Sequence, residues 1–92
     1  MASYIVIRAN IKDKQKYQQY GANVPETLVK YEGEVLVKGA IDQLKGESEF
    51  SMQLILVFPN KEKAYDWYNS SEYQALAAIR DESIDSQFIM MK

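Results

Sequence analysis

Trp67, Tyr68 and Tyr73 stand close together in the stretch Asp66-Trp67-Tyr68-Asn69-Ser70-Ser71-Glu72-Tyr73-Gln74, with Arg80 a short way beyond. These residue types suit a binding site. Aromatic rings tipped by a hydroxyl or an indole N–H line pockets while orienting polar ligand groups. A planar guanidinium can clamp a carboxylate or phosphate with two parallel hydrogen bonds. Each residue also has a structural use. Trp67 can pack beneath a break between helices, and Arg80, near a helix carboxyl end, can answer the last carbonyls and the helix dipole. The expectation drawn is mixed: Trp67 as a structural post, with Tyr73 and Arg80 facing a pocket that Tyr20 and Tyr68 help to wall.

Proton chemistry has two candidates, Glu47 and the Tyr73 hydroxyl. Glu47 lies beside Gly46 in a polar loop and would serve as general acid or base only if desolvated; a solvated or lysine-paired carboxylate is the plain alternative. Glu26, Asp66 and Glu72 read as helix-surface charges. Tyr20 is the better pocket candidate of the helical tyrosines, because nearby Pro25 lacks an N–H and leaves one helix carbonyl unanswered.

The composition narrows the chemistry further. The 92 residues contain no cysteine and no histidine. Disulfides, thiolate nucleophiles, the usual imidazole base and the commonest metal ligands are therefore absent, and neither a metal nor a cofactor is expected. Eleven basic residues are scattered among thirteen acidic ones, for a net charge of -2, whereas nucleic-acid binding needs a basic stripe. The opening Met-Ala-Ser-Tyr-Ile-Val-Ile lacks the basic region and long apolar core of a signal peptide. No segment approaches the roughly 20 apolar residues of a membrane span. A cytoplasmic protein of one domain, residues 1–92, is the expectation.

The elements that must position these side chains follow from apolar spacing. Tyr4 to Ala9 is a short β-branched run, a buried strand. Tyr17, Tyr20, Val24, Leu28 and Tyr31 then recur at intervals of 3 and 4, one face of a helix that Asp13 can cap and that ends before Gly33, with a kink at Pro25. Glu34 to Gly39 is a second strand, Asp42 to Glu49 a loop, and Phe50 to Phe58 a third strand. Asn60 can cap a helix through about Tyr68; Ser71 with Gln74 fits a capping box starting another helix to about Asp81. Gln87 to Met91 is a closing strand. The order β-α-β-β-α-β is that of a ferredoxin-like α+β fold with a four-stranded antiparallel sheet.

The strands are apolar on both faces. Phe50, Met52, Leu54, Leu56 and Phe58 alternate with Ile55 and Val57, and Tyr4 and Val6 alternate with Ile5 and Ile7. Two helical segments cover one face of such a sheet. A second copy of the chain is the simplest cover for the other, so a homodimer through that face is expected.

Several spaced blocks carry a family resemblance: "YEGEVLVKG" from Tyr31 to Gly39, "LKGE" from Leu44 to Glu47, Phe58-Pro59, and "WYNSSEYQ" from Trp67 to Gln74, with Arg80 beyond. In these the chain resembles the family called domain of unknown function 1330. The resemblance implies a ferredoxin-like fold assembled as a dimeric α/β barrel and implies no established activity. The family usually has Pro where Ser71 stands, a Gly-Gly pair where Glu32-Gly33 stands, and a longer tail after Phe88. Two function classes result. One is a small-molecule-binding homodimer, extending to a cofactor-independent enzyme on a small organic acid, with Tyr20, Trp67, Tyr68 and Tyr73 as walls and Arg80 orienting an anionic ligand. The other is a non-catalytic dimeric module whose aromatic core is closed.

Overall fold

The computed structural model describes residues 1–91. Its strands are β1 (Ser3–Ile11), β2 (Glu34–Ala40), β3 (Met52–Phe58) and β4 (Ile84–Met91). The helices are α1 (Lys14–Val29), α2 (Lys61–Tyr68), the single turn α3 (Ser71–Gln74) and α4 (Ala77–Ser83). The sheet order is β2-β3-β1-β4, and every neighbouring pair is antiparallel. The shortest Cα extent is 16 Å, room for one sheet and one helical layer only.

Local chemistry sets the helix starts. The Asp13 carboxylate accepts from the Lys16 N–H at 3.0 Å, and the Asn60 side chain accepts from the Lys63 N–H at 2.8 Å, so both caps work as expected. The third start differs by one residue. Ser70, rather than Ser71, accepts from the Tyr73 N–H at 3.1 Å, while its own hydroxyl donates to the Trp67 carbonyl. Gln74 donates to the Tyr68 carbonyl instead of closing a box. The helix expected from Ser71 to Asp81 is interrupted at Ala75-Leu76 and resumes as α4.

α1 runs through Pro25 as one continuous helix and ends at Val29, so Tyr31 lies beyond it. Its exit is a Schellman motif: Glu32 N–H donates to the Val29 carbonyl and Gly33 N–H to the Leu28 carbonyl. Glu32 takes the left-handed conformation, φ 57, at a position where glycine is usual. Gly33 is needed for space instead. A Cβ on it would stand 2.5 Å from a ring carbon of Phe58.

Three strands differ in length from their sequence-based bounds. β3 starts at Met52, because Asn10 intercepts the chain before it: its side chain accepts from Ser51 N–H and donates to the Glu49 carbonyl. β1 extends to Ile11, which pairs with Ile84, so β4 begins three residues before Gln87.

The helices cover one sheet face. Ile5, Ile7, Ala9, Leu56 and Phe58 meet Tyr20, Leu28, Ala64, Trp67 and Tyr73 in a single buried cluster. The opposite face has no helical cover. There Val6 pairs across the sheet with Ile55 and Ile89, Tyr4 with Val57 and Met91, and Val37 with Ile55. Val37, Ile89 and Met91 are 53%, 41% and 56% exposed.

Candidate functional site

Two neighbouring arrangements draw on the residues that the sequence singles out. The first is a packed aromatic knot. Trp67 and Tyr73 are both 0% exposed, with ring centroids 4.1 Å apart. Phe58 packs against Trp67, while Tyr68 and Phe88 pack against Tyr73. The indole N–H of Trp67 donates to Thr27 Oγ1 at 2.9 Å, and that hydroxyl donates to the Val24 carbonyl at 2.7 Å. This ties α2 to α1 and leaves no buried side-chain polar atom unpaired among the described residues.

The knot has a polar edge. The hydroxyls of Tyr20 and Tyr73 lie 2.6 Å apart, and Arg80 Nη1 approaches the Tyr73 oxygen at 3.5 Å. Arg80 has no acceptor atom, so the Tyr73 oxygen accepts from it and the Tyr73 proton is free to go to Tyr20. Burial raises the pKa of both phenols above the ordinary tyrosine value; the neighbouring Tyr73 adds to the rise at Tyr20, and donation from Arg80 opposes it at Tyr73. Burial acts to lower the Arg80 pKa, but hydrogen bonds to Asp81 and Tyr73 outweigh it and hold the net value above the ordinary one. The guanidinium is bonded to Asp81 at 2.9 Å, lies over the rings of Phe88 and Tyr73, and its side chain is 12% exposed.

The second arrangement is a cavity of about 420 Å³ between α1 and the sheet. Its walls are Tyr17, Tyr20, Gly21, Val24, Pro25 and Leu28 of α1, Ile7 and Ala9 of β1, Val35 of β2, and Met52, Leu54 and Leu56 of β3, with Trp67 and Ile84 closing it. Pro25 leaves the Gly21 carbonyl without a helical donor in this wall. Glu34 and Lys38, both on β2, are the two charged residues of the lining. The volume lies within the roughly 300–1,000 Å³ usual for small-molecule sites, and an apolar lining with a few polar groups is their usual character.

The candidates therefore separate. Tyr20 and Trp67 reach the cavity wall, whereas Tyr73 and Arg80 do not line it. Tyr68 borders a smaller hollow of about 220 Å³ with Ile5, Ala64, Phe88 and Met90. Glu47 is exposed and groups with Arg8, Ser48, Glu49, Phe50 and Gln87. Arg8 and Gln87 share the register of Val6 and Ile89 on the uncovered side of the sheet. Glu47 and the aromatic knot thus lie on opposite sheet faces and cannot share one reacting atom. Tyr17, Val24, Leu54 and Lys38 are cavity residues that the sequence alone does not mark as a site. The α1 stripe that carries Tyr20 also carries Tyr17 and Val24, so its spacing held that signal; Lys38 carried none. Among the described residues no group of His, Cys, Asp and Glu is placed to hold a metal ion, and no helix is long and apolar enough to cross a membrane.

The family whose sequence profile matches this chain, over residues 2–92, is described as "Domain of unknown function (DUF1330)". No curated protein matches the chain. Among solved structures, a protein of unknown function from Rhodopseudomonas palustris superposes with a TM-score of 0.81 at 15% identity, covering 99% of this chain and 81% of that one. SnoaB, a cofactor-independent oxygenase from Streptomyces nogalater, gives 0.72 at 10% identity, covering 99% and 91%. A dimeric ferredoxin-like protein of unknown function from Jannaschia sp. CCS1 gives 0.68 at 10% identity, covering 100% and 99%. At these identities the likeness is one of fold.

Proposed function

This chain belongs to the DUF1330 family, and on that premise we propose that it is a small-molecule-binding protein working as a homodimer. The cavity between α1 and the sheet carries the proposal. It is an open cleft of about 420 Å³ with an almost wholly apolar lining, and clefts of that size and character suit small molecules. An apolar ligand that fills it removes its own surface and the wall's from water, at about 25 cal/mol per Å². Tyr20 and Trp67 are the proposed walls, with Tyr73 and Arg80 holding Tyr20 in place from behind.

Binding, rather than catalysis, is the reading the geometry supports. Tyr20 and Tyr73 are held protonated by burial, and Glu47 stands on the other side of the sheet. The fold shared with a cofactor-independent oxygenase extends to no residue role at 10% identity. The alternative, a non-catalytic module with a closed aromatic core, draws on one observation, the complete burial of Trp67 and Tyr73; it describes the knot but not the adjoining cavity.

The homodimer rests on the uncovered face bearing Val6, Ile55, Val57, Ile89 and Met91, and on the dimeric description of the Jannaschia protein. A second copy seated there would complete the α/β barrel that the family resemblance implies. Ligand binding is tested by thermal-shift screening, with Trp67 emission as a second readout, since the only tryptophan lies in the cavity wall. A hit that raises the melting temperature and shifts that emission supports the proposal. A screen rich in apolar compounds that yields none removes it.

A further inference from the structure

We propose that the cavity selects apolar molecules bearing a single carboxylate, and that Lys38, not Arg80, is the residue that receives it. This rests on the ligand-binding reading above and specifies its ligand class.

Lys38 and Glu34 are the only charges in a lining that is otherwise almost wholly apolar. Lys38 extends from β2 toward α1, its Nζ standing 5.3 Å from the ring centroid of Tyr17, which lines the same cavity. The ammonium is thus held at the mouth by a cation–π contact. No carboxylate approaches it within 4.0 Å among the described residues, which leaves the ammonium open to a ligand's anion. The Glu34 side chain is in register with Val57 on the uncovered sheet face, whereas Lys38 is in register with Leu54 on the cavity side. Lys38 therefore sets a single positive charge at the mouth, which orients an amphipathic guest with its anion there and its apolar body against Val24 and Leu54.

Arg80 is unsuited to this role. Its guanidinium is engaged by Asp81 and Tyr73 and packed over two rings. An exchange of partners there would strip a nearly buried cation of its carboxylate.

The test titrates octanoate, octanol and octylammonium, which share one apolar body and differ in head charge, following Trp67 emission and confirming binding by calorimetry. Wild-type protein should bind octanoate about tenfold more tightly than octanol, with octylammonium weakest. The advantage of the acid should shrink as salt rises. Lys38→Met should bring octanoate down to the level of octanol and leave octanol unchanged. Gly21→Leu should weaken all three, because Gly21 lines the cavity and a Cβ there meets no atom within 4 Å, so the fold can accept the added side chain. Equal binding of acid and alcohol, or an acid preference that survives Lys38→Met, overturns the carboxylate assignment and leaves the binding proposal standing. Failure of all three probes to bind overturns both.

Discussion

The hydroxyls of Tyr20 and Tyr73 meet at 2.6 Å inside the protein, joining α1 to the single turn α3 across 53 residues of sequence. Both phenols are largely desolvated, so each is the other's replacement for water. Removing one leaves a buried hydroxyl without its partner, which costs about 1–3 kcal/mol. Tyr73→Phe and Tyr20→Phe should each destabilise by that order. The double variant should cost less than their sum, because no orphan remains. Urea unfolding of the three variants in a double-mutant cycle measures the coupling.

The same pair makes the fold sensitive to alkali. Both folded-state pKa values are raised above the ordinary 10.0, chiefly by burial. Below pH 10 folded and unfolded chains hold these protons equally, and the full stability is present. Above it the unfolded tyrosines ionise while the folded ones do not, so stability falls with rising pH. The slope approaches about 1.4 kcal/mol per pH unit for Tyr20, and Tyr73 adds to it in the same direction. Denaturation midpoints measured from pH 8 to 11.5 should be flat and then fall, and Tyr20→Phe should make the fall shallower.

Trp67 should be the costliest single truncation. It is fully buried against Phe58 and Tyr73, and Trp67→Ala is expected to lose about 3–5 kcal/mol. Thr27→Val preserves the shape but strips the indole N–H of its acceptor, for about 1–3 kcal/mol. Arg80→Gln, by contrast, removes one long hydrogen bond and a partly exposed ion pair, and should cost less than Thr27→Val. Guanidinium unfolding ranks the three.

The exit from α1 yields two changes of opposite sign. Gly33→Ala would press a methyl against Phe58 and Leu28, and overpacking of this kind costs about 1–3 kcal/mol. Glu32→Gly relieves a left-handed residue, worth about 1 kcal/mol, and gives up only an exposed 3.4 Å ion pair with Lys63 that contributes little. Melting temperature should fall for the first and rise for the second.

Association through the uncovered sheet face predicts a mass twice 10.6 kDa in light scattering at micromolar concentration. An interface of this kind removes upward of about 2,000 Å² from water. Ile89→Lys places a charge on that face and should yield monomer with unchanged secondary structure. A wild-type protein that scatters as monomer would leave the two-sided apolar strands without an explanation.

The element order was legible in the amino-acid sequence because it depends on local spacing. Short apolar runs named four strands, the 3-4 rhythm of Tyr17, Tyr20, Val24 and Leu28 named α1, and Asp13 and Asn60 marked helix starts through bonds that reach only three residues. The apolar residues on both faces of β1 and β3 were likewise plain, since side chains alternate strictly along a strand. Tertiary structure decided everything that depends on which distant segments meet. Ser70 rather than Ser71 caps α3, because the chain leaving Trp67 turns there. β4 starts at Ile84 because β1 continues to Ile11 to meet it. Tyr73 and Arg80 were equally suited by type to a pocket wall or to a core; contact with Tyr20, Trp67 and Asp81 turned them inward. Lys38 carried no signal in its own neighbourhood, and only the packing of β2 beside α1 brings its ammonium over Tyr17 at the mouth of a cavity. Spacing along a chain reports which face a residue occupies, whereas a cavity is a property of two faces at once.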